Sequence, residues 1–557
     1  MRRQLRRTAV LAGLLLATAT LPVVTSAAAA PTLPTPVTAG ALPTPQTNGI
    51  VWAVTIVGNT VYAGGRFTEA RPAGAAAGTQ EVPRDNLLAF DLTTGALLPW
   101  APDVSGTVYT SSTNPGPYCQ AAPGGGTNQW LCDSVFRIKA NADGSEIYVG
   151  GDFDHMNGEY RGRIAEFDTA TGNLNETFKP SLDSRVRGIS VTPNAIYLGG
   201  GFSSVNGASR TRLAAVDPTT GATLPWAPIA DGEVFSVYAD SNSGKVLVGG
   251  AFNHLNGLAQ RGIMSVDNSA GNNTAPWNVT LPGTVSVVTD IEPDYQGNAI
   301  ISAYNFGDGA VRFEGRSSIN IAGGTTNWYD GCYGDTQAVV VSNGVVYSAS
   351  HTHECDALGI ANGAIPGTYQ RLIAETAQAD ATSTVNSNNI HKGDPVPVLL
   401  PWLPNTDGGP STSAWQNGPW SIDANGSYVV VGGEFLTVNG KPQQSLTRFA
   451  ARGVSGAVNN GPQVPFSAPK VVRNAQGQPV VTWKTTWDAQ NTGLTYKVYR
   501  DGTSAPVYTT TALSWPWSEP TLSYTDTSAS SGVVSYWISA SDADGAHEGS
   551  PHGSSSN

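Results

Sequence analysis

Two imidazoles one residue apart, His351 and His353, stand beside Glu354 in the run His351-Thr352-His353-Glu354-Cys355-Asp356. Alternate residues of an extended strand share a face, so the pair forms a two-nitrogen clamp to which Glu354, Asp330 or Asp335 would add oxygen. The same run equally describes a disulfide-stapled strand with polar residues at a loop mouth. That second reading is the one expected, without a metal or cofactor and with Asp330 and Asp335 as ligand contacts. A second irregular segment, 103–134, carries Tyr109, Tyr118 and Trp130. Aromatic side chains on a constrained loop suit sugar or peptide binding, which makes Tyr118 and Trp130 further candidate contacts. His155 and His254 are set aside, because the same repeat position holds Ser204 and Thr437 elsewhere. No serine elbow, phosphate loop, dinucleotide fingerprint or zinc-protease helix occurs at a usable place, so no catalytic residue is assigned.

The elements that position these residues must come from a turn-rich chain. Of 557 residues, 64 are Gly and 37 Pro, only 13% are charged, and the formal charge is -12. An acidic chain lacks the positive face that nucleic acid requires. Arg2, Arg3, Arg6 and Arg7, the apolar run from Thr8 to Val24 and Ala27-Ala28-Ala29 read as a signal peptide over 1–29. Export is therefore expected, free or attached to a cell surface, without a membrane span. In that setting four cysteines form two disulfides, and spacing favours Cys119 with Cys132 and Cys332 with Cys355.

Self-similarity gives the architecture. IYVGGDFDHMNG from Ile147, IYLGGGFSSVNG from Ile196, VLVGGAFNHLNG from Val246 and VVVGGEFLTVNG from Val429 are copies, and VYAGGRF from Val61 is a fifth. About ten residues later a strand ends in Asp91, Asp168, Asp217 or Asp267, followed by a small-residue turn with Gly and, in three units, by Pro-Trp at Trp100, Trp226 and Trp277. Alternating apolar residues make strands, Asn-Gly makes a tight turn with positive φ, and the Asp makes a second turn. Crowding or a bulge explains the Gly-Gly pair, with the following Phe packed between neighbouring sheets. A unit of about 50 residues with three or four strands is one propeller blade. Degenerate copies from Asn298 and Val345 raise the count to seven. The last copy lacks its ending, whereas Thr38 to Pro45 resembles the stretch Thr220 to Pro228, so the N-terminal segment is expected to complete the ring.

The expected organisation is all-β: a seven-bladed propeller over 30–452, a linker over 453–468, a β-sandwich over 469–545 and a polar tail over 546–557. Residues 37–452 resemble the Gly-Gly-x-Phe repeat propellers of secreted actinobacterial proteins. Residues 469–545 resemble a fibronectin type III domain through Trp483, the Val498-Tyr499-Arg500-Asp501-Gly502 turn, Ser523-Tyr524-Thr525-Asp526 and Tyr536. The resemblance implies an extracellular setting without an established reaction. The function expected is that of a monomeric binding protein, its propeller a platform for polysaccharide or protein and its sandwich a spacer or adhesive unit. An extracellular hydrolase acting on glycosyl bonds of polysaccharide is the alternative.

Overall fold

The computed structural model describes residues 32–113, 118–283, 286–305, 312–360, 369–529 and 531–555. The expected signal peptide lies outside them. The compact unit from Pro34 onward holds every strand, and the described residues contain no α-helix, only a 3-10 turn at Asp356–Leu358.

Seven larger antiparallel sheets, with smaller ones between them, follow one another along the described chain to Ala450. Their first strands are Ile50–Val57, Ser134–Ala140, Val186–Thr192, Val234–Asp240, Ser286–Pro293, Thr336–Ser342 and Pro419–Ala424. Each of these strands packs beside the next, and the seventh packs beside the first, so the sheets close a ring around an axis lined by first strands.

The Gly-Gly pairs set this geometry, each glycine for a different reason. A β-carbon on the first Gly would meet the next sheet: Gly64 would lie 2.4 Å from Val135 Cγ1, Gly150 2.8 Å from Val186 Cγ1, Gly199 2.4 Å from Val234 Cγ1 and Gly249 2.7 Å from Val288 Cγ1. A β-carbon on the second Gly would strike a carbonyl at the start of its own sheet, 1.9 Å for Gly65 on Ile50 O and 2.1 Å for Gly151 on Ser134 O. The Phe that follows joins the cluster of the preceding sheet: Phe153 is buried in one core with Leu87 and Ala89, Phe67 in one with Tyr428 and Leu446.

The turns behave as small side-chain devices. Asp91, Asp168 and Asp217 each accept from the backbone N–H and hydroxyl of the Thr three residues on. Asn157, Asn206, Asn256 and Asn439 adopt positive φ of 49 to 53° ahead of glycine. The Pro-Trp indoles dock on the following sheet, Trp100 donating to Gly172 O at 3.0 Å and Trp226 to Asp267 O at 2.8 Å. Trp402 donates to Thr38 O at 3.2 Å. After the Asp turn, Leu98 and Leu224 donate their N–H to Ala89 O and Ala215 O; Leu42 donates likewise to Arg448 O of the seventh sheet.

Beyond the ring, two further antiparallel sheets enclose a core of Val481, Trp483, Leu494, Tyr496, Val498, Tyr536 and Ile538. The expected boundaries shift at both ends. Phe466, assigned to the linker, is 3% exposed within this core. The polar tail is also structured: His547–Gly549 and Gly553–Ser554 both pair with Ser535–Ser541. Gly553 makes this possible, because a β-carbon there would lie 1.9 Å from Pro469 O, and Ser550 Oγ accepts from the Ile538 N–H at 2.9 Å.

Candidate functional site

Every first strand of the ring carries one extra residue, a bulge that breaks the alternation of faces. The register jumps fall between Val51 and Ala53, Val135 and Arg137, Val186 and Gly188, Val234 and Ser236, Val288 and Asp290, Thr336 and Ala338, and Pro419 and Ser421. The displaced residues are Trp52, Phe136, Arg187, Phe235, Thr289, Gln337 and Trp420. All of them line one axial cavity of about 170 Å³. The second Gly of each pair, which leaves room for the carbonyl before the bulge, is thus part of the machinery that aims these side chains at the axis.

Two loops close over the aromatic wall. Tyr118 and Trp415 meet with ring centroids 5.4 Å apart, and Trp52 touches both, at 6.2 and 5.9 Å. Trp415 also lies 5.4 Å from Trp420. The Arg187 guanidinium sits 4.1 Å from the Tyr118 ring and 4.7 Å from Phe136 and from Phe235. Its position over three rings is a cation–π arrangement, held on the outer side by Glu233 at 3.3 Å.

The floor of the cavity is ionic. Arg137 pairs with Asp290 across the axis at 3.0 Å, and Lys139 pairs with Glu292. Asp423 accepts from the Ile56 N–H at 2.7 Å. Burial pushes the Asp423 carboxyl up, and the Lys139 ammonium pulls it back. Burial likewise raises Asp335 at the rim, opposed by His351. The floor carboxylates therefore each hold a cation or a backbone donor, while Trp415 and Trp420 stay partly exposed at the cavity.

A family model described as a domain of unknown function (DUF5122) beta-propeller matches residues 141–178, which span the Gly150-Gly151 pair, the Asn157-Gly158 turn and the Asp168 turn. The ring of sheets is a β-propeller. A crystal structure described as the Myceliophteria thermophila Cps50 (Swd1) beta-propeller domain is similar at 9% identity. That match covers 72% of this chain and 98% of that chain, with a TM-score of 0.36. No curated protein matches the sequence.

Of the expected ligand contacts, Tyr118 and Asp335 reach the propeller axis and two do not. Trp130 lies within its own loop, donating to Ser111 O at 3.0 Å. Asp330 is fully buried, 2.7 Å from Arg316 Nε, and accepts from the Cys332 N–H at 3.0 Å. Its carboxylate neutralises a buried guanidinium and is closed to any ligand.

The expected disulfides Cys119–Cys132 and Cys332–Cys355 are both formed. The His351 and His353 rings lie nearly parallel, 6.3 Å apart. His351 Nδ1 is 2.8 Å from Asn417 Oδ1, and both rings contact Tyr369 edge to face. Among the described residues, the metal-capable donors that converge are Cys119, Cys132 and Asp152, and that set excludes His351, His353 and Glu354. Its two sulfurs are joined to each other, and Asp152 pairs with Arg163 at 3.1 Å, so the set is committed.

Sequence reasoning missed the bulge residues and Trp415. A signal for the former existed: in five units an unchanging Val precedes a residue of changing chemistry, as in Val51-Trp52, Val135-Phe136, Val186-Arg187, Val234-Phe235 and Val288-Thr289. Constant Val serves packing, and the variable neighbour serves the axis.

Proposed function

We propose that this chain is an exported binding protein whose axial pocket takes the terminal unit of a glycan. The supporting observation is the aromatic wall of Trp52, Tyr118, Trp415 and Trp420 above an ion-paired floor. Ring faces stack on the apolar faces of sugars, and Gln337 and Asp335 offer polar edges to hydroxyls. The cavity, about 170 Å³, is smaller than the roughly 300–1,000 Å³ of pockets that hold drug-sized molecules, which favours one end group over a long segment.

The reading includes seven blades, a ring completed by the segment around Leu42, and a fibronectin type III module from about Pro469 acting as a spacer or adhesive unit. The seven ordered sheets, the Leu42 to Arg448 bond and the Trp483 core support it. Export through residues 1–29 fits the two disulfides.

A glycan array followed by titration calorimetry tests the proposal. Binding of an oligosaccharide that Trp415→Ala weakens tenfold or more is the expected result. Retention of full affinity by both Trp415→Ala and Trp420→Ala would falsify the axial site. New reducing ends in the same incubation would assign the hydrolytic alternative instead.

A further inference from the structure

A larger cavity, about 480 Å³, lies where the ring meets the C-terminal sheets. Tyr369 and Lys441 wall it from the ring; Trp487, Trp517, Gln463 and Glu548 wall it from the other side. Its aromatic surface is anchored by local contacts. Trp517 stacks on Trp515 at 5.4 Å and 18°, on a turn closed by two backbone bonds between Trp515 and Ser518. Ser514 ties that turn to the sheet through Thr485 Oγ1 at 3.1 Å. Trp487 is fixed from below, its carbonyl accepting from the Gln463 N–H at 2.8 Å.

Trp487 and Trp517 are both partly exposed, and Tyr369 is 39% exposed. Around them the side chains of Lys441, Gln463 and Glu548 have no hydrogen-bond or ion-pair partner among the described residues. One cation and one anion leave the wall without net charge. Flat aromatic faces, free polar heads and electrical balance are the features that recognise an uncharged chain of hydroxylated rings. A volume nearly three times that of the axial cavity accommodates more than one such ring.

From this geometry we infer that the groove between propeller and sandwich is a second binding site, taking an internal segment of a neutral oligosaccharide. The site needs both modules, because neither supplies the Tyr369 and the Trp517 faces together. It stands apart from the axial pocket, so the two readings succeed or fail separately. The module junction is itself fastened: Leu403 N–H donates to Ala489 O at 2.7 Å, Ala39 N–H to Gln490 Oε1 at 2.9 Å, and Arg452 pairs with Asp544.

The test uses the full chain with linear neutral hexasaccharides of glucose, xylose and mannose, followed by calorimetry and tryptophan fluorescence. At least one hexasaccharide is expected to saturate binding. Trp517→Ala should weaken it tenfold or more, and Gln463→Ala, a change at a partly exposed position, threefold or more. Trp415→Ala, in the axial pocket, should leave this binding unchanged. Failure of all three sugars to bind at millimolar concentration overturns the proposal. So does binding that Trp415→Ala abolishes while Trp517→Ala and Gln463→Ala retain it.

Discussion

A β-carbon on Gly432 would stand 2.6 Å from Val51 Cγ1, so the last sheet of the ring meets the first through the side chain that glycine lacks. The same glycine-to-valine contact recurs between earlier sheets and fixes how closely neighbours approach. Overpacking such a contact costs roughly 1–3 kcal/mol. Gly432→Ala, which crowds Val51, and Gly65→Ala, which strikes the Ile50 carbonyl, are therefore expected to lower the thermal midpoint by several degrees. Gly126→Ala should not, since its nearest neighbour would be Gln129 at 4.0 Å. Differential scanning calorimetry compares the three, and equal midpoints would remove the proposed role of the pair.

Removal of residues 31–48 is expected to lower the midpoint more than any single glycine change. The seventh sheet would lose the Leu42 to Arg448 bond, and Trp402 would lose its acceptor at Thr38. An exposed strand edge would be left at Leu446–Ala450, so aggregation measured by light scattering should rise together with the fall in midpoint.

Arg187→Lys keeps the charge and loses the plane. A lysine cannot lie flat against Tyr118, Phe136 and Phe235 together, and a desolvated cation–π contact is worth about 1–2 kcal/mol. The variant is expected to be less stable to urea by about that amount and to bind axial ligand more weakly. Undiminished stability and affinity would mean that charge alone matters there.

The pH dependence of stability should show a carboxyl pair in the C-terminal module. Asp488, 1% exposed, has its carboxyl pushed up to about 7 by burial, with Asp542 adding to the rise. No donor faces Asp488 Oδ2, and a proton held toward Asp542 resolves that contact. The folded state thus keeps a proton that the unfolded chain releases near 4, and stability falls as pH rises between these values. Asp488→Asn removes this loss, so its midpoint relative to the parent should climb from pH 5 to pH 8. A constant difference across that range would show that no proton is held.

Much of the ring was legible because its signals are local. An Asp three residues before a Thr, an Asn before a Gly and a Val-Leu-Val run each act within a few bonds, and repetition multiplied them. The axial site was less legible for a physical reason. Counting alternate residues assigns faces only along a regular strand, and the bulge at Val51-Trp52 resets the count in each unit. Asp330 was misplaced for a different reason. Its partner Arg316 lies 14 residues earlier on a neighbouring strand, and nothing near Asp330 announces a buried cation. The tail carried no alternation at all; its pairing depends on Ser550 and Gly553 meeting a strand that begins at Ser535.

The bond from Thr38 to Ala450 joins residues 412 positions apart. Chains are made from the N-terminus at roughly 5–20 residues per second, so the segment around Leu42 exists long before its partner strand does. Until Leu446–Ala450 arrives, the completed sheets are held to one another by their seams, glycine against valine in the first four, while the two outer edges wait unpaired. A contact across that separation is slow to search for, because loop-closure entropy must be met before non-local pairing is rewarded. The two ends of the ring thus depend on each other across nearly its whole length of chain.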